Sequence, residues 1–175
     1  MILTNPGGPG GSGVSFLLNS VQVGLKIGGS NYDLVSWDPR GVNNSIPVAD
    51  CKLSPDLTGR KLKIRSQEKL YGPSLAPVYF EEQYASAQEI GPECWASIGG
   101  PKDAGPHMTT ATVARDMVSI LDAFQASEDG QKCGDSGLLN YWGISYGTVI
   151  GQTFASMFPE RVGRVVLDGV VDPDA

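Results

Sequence analysis

Residues 140–151 read "NYWGISYGTVIG". Ser145 stands between Gly143 and Gly147 in a Gly-x-Ser-x-Gly pattern. The stretch before it, "LLNYW" (138–142), reads as a short strand. The stretch after it, "YGTVIGQTFASMF" (146–158), puts Ile150, Phe154 and Phe158 on one helical face before Pro159 ends the run. A serine on so tight a strand-to-helix turn is forced into a strained backbone conformation. Small residues two before and two after it let strand and helix pass closely. The turn lifts the hydroxyl to the helix N-terminus, where the N–H of Tyr146 can face a developing oxyanion. A glycine-serine turn without chemistry is the plainer alternative, and the flanking strand and helix weigh against it.

The chain opens with "MILTN", an apolar strand that runs into "PGGPGGSG" (6–13). Acyl transfer needs a second N–H donor for its oxyanion, from a loop at the end of a neighbouring strand. Glycine suits such a loop because the backbone itself must approach the substrate. Gly8 is the candidate donor, with Gly7 as the fallback. A rival reading exists. Gly8, Gly10 and Gly13 also match G-x-G-x-x-G after a strand, and Asp38 falls near the place of a ribose-binding acid, which would make a dinucleotide-binding module. Pro9 inside the motif and the position of Asp38 in "DPRG" count against it. No Lys-Ser or Lys-Thr pair follows, which excludes a Walker phosphate loop.

Further along, "VSFLLNSVQVGL" (14–25) predicts a helix. "YDLVSWDPRG" (32–41) predicts a second strand, stopped by Pro39 and Gly41. Residues 42–106 show no sustained period. Within them "EEQYASAQEIGPECWASIG" (81–99) can be helical around a break at Gly91-Pro92. So long a region predicts an irregular insertion of short helices, a partial lid. "MTTATVARDMVSILDAFQA" (108–126) is the clearest helix, with Val113, Met117, Ile120, Leu121 and Phe124 on one face and Thr109 or Thr110 to cap it. "VGRVVLDGV" (162–170) predicts a fourth strand buried on both faces. The alternation of strands and helices gives an α/β fold: a mostly parallel sheet flanked by helices, one domain over 1–175 with the insertion at 42–106.

The chain has 175 residues, 41% hydrophobic and 18% charged, with a net charge of −6. That acidity argues against a nucleic-acid partner. No apolar run approaches the roughly 18 residues of a membrane span, so no membrane partner is expected. Residues 1–20 lack the basic start and long apolar stretch of a signal peptide. Cys51, Cys94 and Cys133 are an odd number. Cys51 and Cys94 could bridge the irregular region, or all three could be thiols. One histidine and three scattered cysteines offer no ligand spacing, so no metal or other cofactor is expected.

"NPGGPGGSG" (5–13), "SWDPRGVNNS" (36–45) and "YWGISYGT" (141–148), followed by "FPERVGRVVLDGVVDP" (158–173), together resemble the α/β-hydrolases of the prolyl and tripeptidyl aminopeptidase branch. The match is closest to its secreted tripeptidyl-aminopeptidase-like serine peptidases. The resemblance implies Ser145 as nucleophile and the Tyr146 and Gly8 amides as oxyanion donors. It implies a peptide or ester substrate, with short peptides released from N-termini through an acyl-enzyme. It implies export of the full-length form, with the cytoplasm as the alternative, and a bridge between Cys51 and Cys94. Asn5 stands near the place where proline iminopeptidases carry a histidine.

In this fold the triad runs serine, acid, histidine along the chain. The single histidine, His107, precedes Ser145, and none of the 30 residues after Ser145 is a histidine. The resemblance therefore implies the N-terminal part of a catalytic domain, trimmed at both ends and inactive or nearly so alone. His107, in "GPHMTT" just before a helix, is expected at the other end of the sheet from the elbow, in a surface or capping role. Asp168 ends the strand after the elbow helix, where a few hydrolases of this fold place their acid. Asp172 and Asp174 read as turn residues. Asp38 and Arg40 are expected to hold the turn after their strand. A non-catalytic hydrolase remnant is the third reading.

Overall fold

The computed structural model describes residues 1–28, 31–55, 76–134 and 136–172. Residues 56–75 of the expected insertion, and Asp174, lie outside them. The described residues form two compact units, 1–48 with 107–175, and 49–106.

The larger unit is built on four parallel strands: β1 (Ile2–Asn5), β2 (Leu34–Ser36), β3 (Leu139–Ile144) and β4 (Val162–Asp168). Their order across the sheet is β2-β1-β3-β4. Helix α1 (Gly13–Gly28) links β1 to β2. The smaller unit holds α2 (Ala76–Ile98). Helix α3 (Thr110–Ala126) and the short α4 (Glu128–Lys132) precede β3, and α5 (Tyr146–Met157) joins β3 to β4. The alternating order expected from the sequence is the one observed.

Strand pleating sorts the side chains onto two faces. Leu3 and Tyr141 are register partners and point the same way. They join Val113, Ala114, Met117 and Leu121 of α3, Leu139, and Ile150 and Phe154 of α5 in one buried cluster. The 3.6-residue spacing of the α3 apolar positions brings them to this core. The α3 N-cap is Thr109, whose side chain accepts from the Thr112 N–H at 3.2 Å. On the opposite face Trp142 meets Phe16 of α1 edge to face, with ring centres 5.9 Å apart.

Two expectations are corrected. The run at 162–170 is not buried on both faces. Arg164, Val166 and Asp168, alternate residues on one face of β4, are exposed, because none of the described elements covers that face there. And α2 is one 23-residue helix with Pro92 inside it, not two pieces broken at Gly91-Pro92. A proline removes one backbone donor and crowds the preceding turn, and the helix here runs through that loss. In the same unit Cys51 and Cys94 form a disulfide, and the Ser54 N–H donates to Glu93 at 3.2 Å. Cys133 is a thiol at the surface.

Candidate active site

Reading the strands in sheet order, the chain runs from β1 outward to β2 and then returns past β1 to β3. The reversal falls between β1 and β3. In parallel α/β sheets ligands bind outside the carboxyl ends of the strands at such a point. Asn5 and Gly143, near those ends, are register partners. The glycine-rich loop leaves β1 there, and the Ser145 turn leaves β3 beside it.

Ser145 has φ 55° and ψ −125°, a left-handed conformation for a residue with a side chain. Such a conformation costs about 1–3 kcal/mol and persists only where surrounding contacts fix it. Those contacts are present. The Ser145 N–H donates to the Asp168 carbonyl at 3.0 Å, and its own carbonyl accepts from the Thr148 hydroxyl at 2.6 Å. Thr148 is fully buried, and its hydroxyl also accepts from the Val171 N–H at 3.0 Å. The seryl side chain is exposed at the N-terminus of α5. Partial positive charge from the helix amides gathers at that terminus.

The glycines around Ser145 explain how strand and helix come so close. A Cβ on Gly143 would sit 2.5 Å from the Gly147 carbonyl oxygen and 2.5 Å from Cε1 of Tyr141. A Cβ on Gly151 would meet the same ring atom at 2.9 Å. The Tyr141 ring fills the space these glycines leave. Its hydroxyl donates to the Gly147 carbonyl at 2.9 Å, and burial, with the nearby Tyr146 phenol, raises its pKa. Tyr146 in turn shares a 2.6 Å hydrogen bond with the Thr110 hydroxyl in the first turn of α3.

The loop "NPGGPGGSG" lies against this turn. A Cβ on Gly7 would be 2.7 Å from the Tyr146 nitrogen and 3.0 Å from that of Gly147. Gly7, Gly8 and Gly10 have φ of 89°, 117° and 91°, which glycine alone adopts without strain. The loop is held at both ends. Asn5 Oδ1 accepts from the Gly7 N–H at 2.8 Å, and the Gly7 carbonyl accepts from the Gly11 N–H at 3.0 Å. At the far end Asp38 accepts from Ser12 Oγ at 2.6 Å and from the Val14 N–H at 3.2 Å. Gly8, Pro9 and Gly10 between these anchors are exposed.

Asp38 also accepts from the Asn43 amide at 2.9 Å and from both the backbone and the side chain of Asn44 at 3.2 Å. Burial pushes its pKa up. The hydrogen bonds from Ser12, Asn43 and the Val14 and Asn44 amides outweigh that and hold it down at about 2. Arg40 forms a two-pronged pair with Asp116 of α3, at 2.7 and 2.8 Å. Asp38 holds the turn after β2, as the sequence suggested, whereas Arg40 ties that turn to α3.

The remaining candidates fall into place as follows. Asp168 ends β4 beside Ile144. Its carbonyl takes the Ser145 N–H and its carboxylate is exposed. His107 is exposed in a short turn, Gly105–His107, ahead of α3. Its expected place at the far end of the sheet is a misreading. A helix that crosses between parallel strands runs antiparallel to them and so begins at their carboxyl ends. The Thr110–Tyr146 bond puts the start of α3 on the elbow side. Sequence reasoning gave no role to Tyr141 or Thr148, and offered Thr110 only as an alternative cap for α3, a place Thr109 takes. The one signal available was the four-residue spacing of Gly143, Gly147 and Gly151, which marks where a large ring must fit. Among the described residues no group of three or more histidine, cysteine, aspartate or glutamate side chains could hold a metal ion.

The chain is 36% identical over 180 residues to the tripeptidyl aminopeptidase of Streptomyces lividans, covering 98% of this chain and 28% of that protein. The chain is tripeptidyl-aminopeptidase-like. Its parallel sheet with flanking helices is part of an α/β-hydrolase fold. It is also 36% identical over 174 residues to the serine protease Hip1 of Mycobacterium tuberculosis, covering 99% of this chain and 30% of that protein. A putative hydrolase of Escherichia coli, YuaR, matches at 30% over 168 residues. The chain thus spans a little under a third of the length of the curated relatives it matches. No family model matches.

Proposed function

We propose that this chain carries the nucleophile and oxyanion half of a serine peptidase that releases short peptides from substrate N-termini. Ser145 attacks the scissile carbonyl and forms an acyl-enzyme. The negative charge of the tetrahedral intermediate rests on the N–H groups of Tyr146 and Gly8. Gly8 is preferred to Gly7 because the Gly7 N–H is already taken by Asn5. The single observation behind this reading is the exposed, left-handed Ser145 on a strand-to-helix turn, with the glycine loop packed against the next amide. The names of the relatives point to the same chemistry and to peptides as substrates. The reaction also needs an acid and a base near Ser145. This reading assigns neither function to Asp168 or His107.

Asp38 speaks against a dinucleotide module. A ribose-binding acid must offer its oxygens to the ligand, and those of Asp38 are occupied by donors from Ser12, Val14, Asn43 and Asn44. The Cys51–Cys94 disulfide supports work in an oxidising compartment, and so an exported protein. Among the described residues no helix is long and apolar enough to cross a membrane.

The test is covalent labelling of the full-length protein with a peptidyl phosphonate. Stoichiometric modification at Ser145, abolished in Ser145→Ala, is the expected result. Labelling that persists in Ser145→Ala, or none in the wild type, overturns the assignment.

A further inference from the structure

We propose that Asn5 is a positioning residue that decides which amide of the glycine loop serves as the second oxyanion donor. The inference rests on the serine-hydrolase reading above and deepens it.

Asn5 is the last residue of β1 and is 1% exposed. Strand alternation puts its side chain on the face of Leu3, toward α3 and α5. There its carboxamide oxygen takes the Gly7 N–H at 2.8 Å, a buried bond. A Cβ on Gly147 would lie 3.2 Å from that same oxygen, so the amide sits against the first turn of α5. Its Nδ2 is buried and has no hydrogen-bond partner among the described residues. Flipping the amide does not cure this, because two donors would then face each other at Gly7. Burying a carboxamide with half of its hydrogen-bonding capacity unused is unfavourable. Packing alone is met by an apolar group of the same shape, so the position calls for another reason to hold an asparagine.

That reason lies in the Gly7–Gly8 peptide plane. Asn5 fixes the Gly7 N–H, which lies in the preceding Pro6–Gly7 plane, and the Gly11 N–H fixes the Gly7 carbonyl, so both planes flanking Gly7 are held and its φ and ψ between them have little freedom. The only cis peptide bonds among the described residues are Gly8-Pro9 and Ile46-Pro47, so the Gly7–Gly8 bond is trans. In a trans peptide the C=O and N–H point opposite ways. With the Gly7 oxygen directed at the Gly11 N–H, the Gly8 N–H points away from Gly11. Asn5 thus withdraws one amide from the site and orients the next. Without its oxygen the Gly7 N–H loses its partner, and the plane that carries the Gly8 N–H is held by the Gly11 bond alone.

The experiment compares wild type and Asn5→Ala in the full-length protein. It measures kcat and KM on a tripeptidyl nitroanilide, the number of active sites by phosphonate titration, and the inhibition constant of a peptide aldehyde whose adduct carries an oxyanion. The expected result is a fall in kcat per titrated site of about ten- to a hundredfold, less than or equal to the effect of deleting a donor outright. KM should stay within about twofold, and aldehyde binding should weaken by the same factor as kcat. A variant that melts earlier and titrates fewer sites, but turns over normally at each of them, overturns the proposal and leaves Asn5 a structural residue. If Asn5→Ala does not fold, Asn5→Ser, with a shorter acceptor, should show the same split at smaller amplitude, and a normal kcat per site there is equally fatal. Wild type that fails to label removes the hydrolase reading and this inference with it. Labelled wild type with an unaffected variant removes the inference alone.

Discussion

Gly143 shows how little room the site leaves. Its missing side chain is space already used by the Gly147 carbonyl and the Tyr141 ring. Gly143→Ala must push strand and helix apart, and we expect it to lower the free energy of unfolding by about 1–3 kcal/mol, as overpacking does. Gly10→Ala is the contrast. Nothing lies within 4 Å of its would-be Cβ, and only its φ of 91° resists the change. A loss of about 1–2 kcal/mol is expected there. Urea denaturation of the two variants measures both. The Gly-x-Ser-x-Gly triplet could be read in the sequence because its meaning is local: the spacing defines the turn. The Tyr141 hydroxyl on Gly147, the Thr110 hydroxyl on Tyr146 and the Asn5 amide on Gly7 could not. The tyrosine and threonine contacts depend on a rotamer or a tertiary approach that no short pattern encodes. The Asn5 contact spans two residues, but its importance appears only once the loop folds back on Gly11.

At the scale of elements, one carboxylate ties three pieces of chain together. Asp38 holds the end of the glycine loop, the first turn of α1 and the turn at 43–44. Its pKa falls from 3.8 to about 2 on folding, so folding favours the ionised form. The stability this supplies is on the order of 2 kcal/mol. It is present in full above the unfolded value, begins to fail as pH drops below about 4, and is gone once pH passes below about 2. Asp38→Asn should therefore be clearly less stable than wild type near pH 6, and the gap should narrow as pH falls toward 2. Unfolding midpoints across that range check the sign. A gap that widened on acidification would mean that Asp38 does not act through its charge. The sequence announced Asp38 as a turn holder because it stood in "DPRG" at a strand end. It misjudged β4 and α2 for opposite reasons. The apolar run of β4 looks like a central strand, yet burial depends on which strands and helices lie beside it. Gly91-Pro92 looks like a stop, yet a helix can run through a proline when its other bonds hold.

At the scale of the molecule the two units differ in what secures them. The larger has a continuous apolar core. The smaller has a covalent bond between residues 43 apart. Closing a loop of that length stabilises by about 4 kcal/mol in the chain-entropy account. Reduction of the disulfide should therefore speed amide hydrogen exchange along α2, while β3, within the core of the larger unit, keeps its protection. Hydrogen-exchange mass spectrometry with and without reductant reads both segments at once, and unchanged exchange in α2 would mean that the bridge is not what secures that helix. The fold class was legible because strand and helix periods alternate along the chain. The end of the sheet at which α3 begins was not, since that follows from the direction of the crossover rather than from any residue of "GPHMTT". The pairing of Asn5 with Gly143 carries one more implication. Each step along a strand is about 3.3 Å, so a slip of one place between the first and third strands shifts the loop against the serine by more than the length of a hydrogen bond. The sheet acts as a vernier for the chemistry, and a substitution that frays the first strand should silence turnover well before the protein melts.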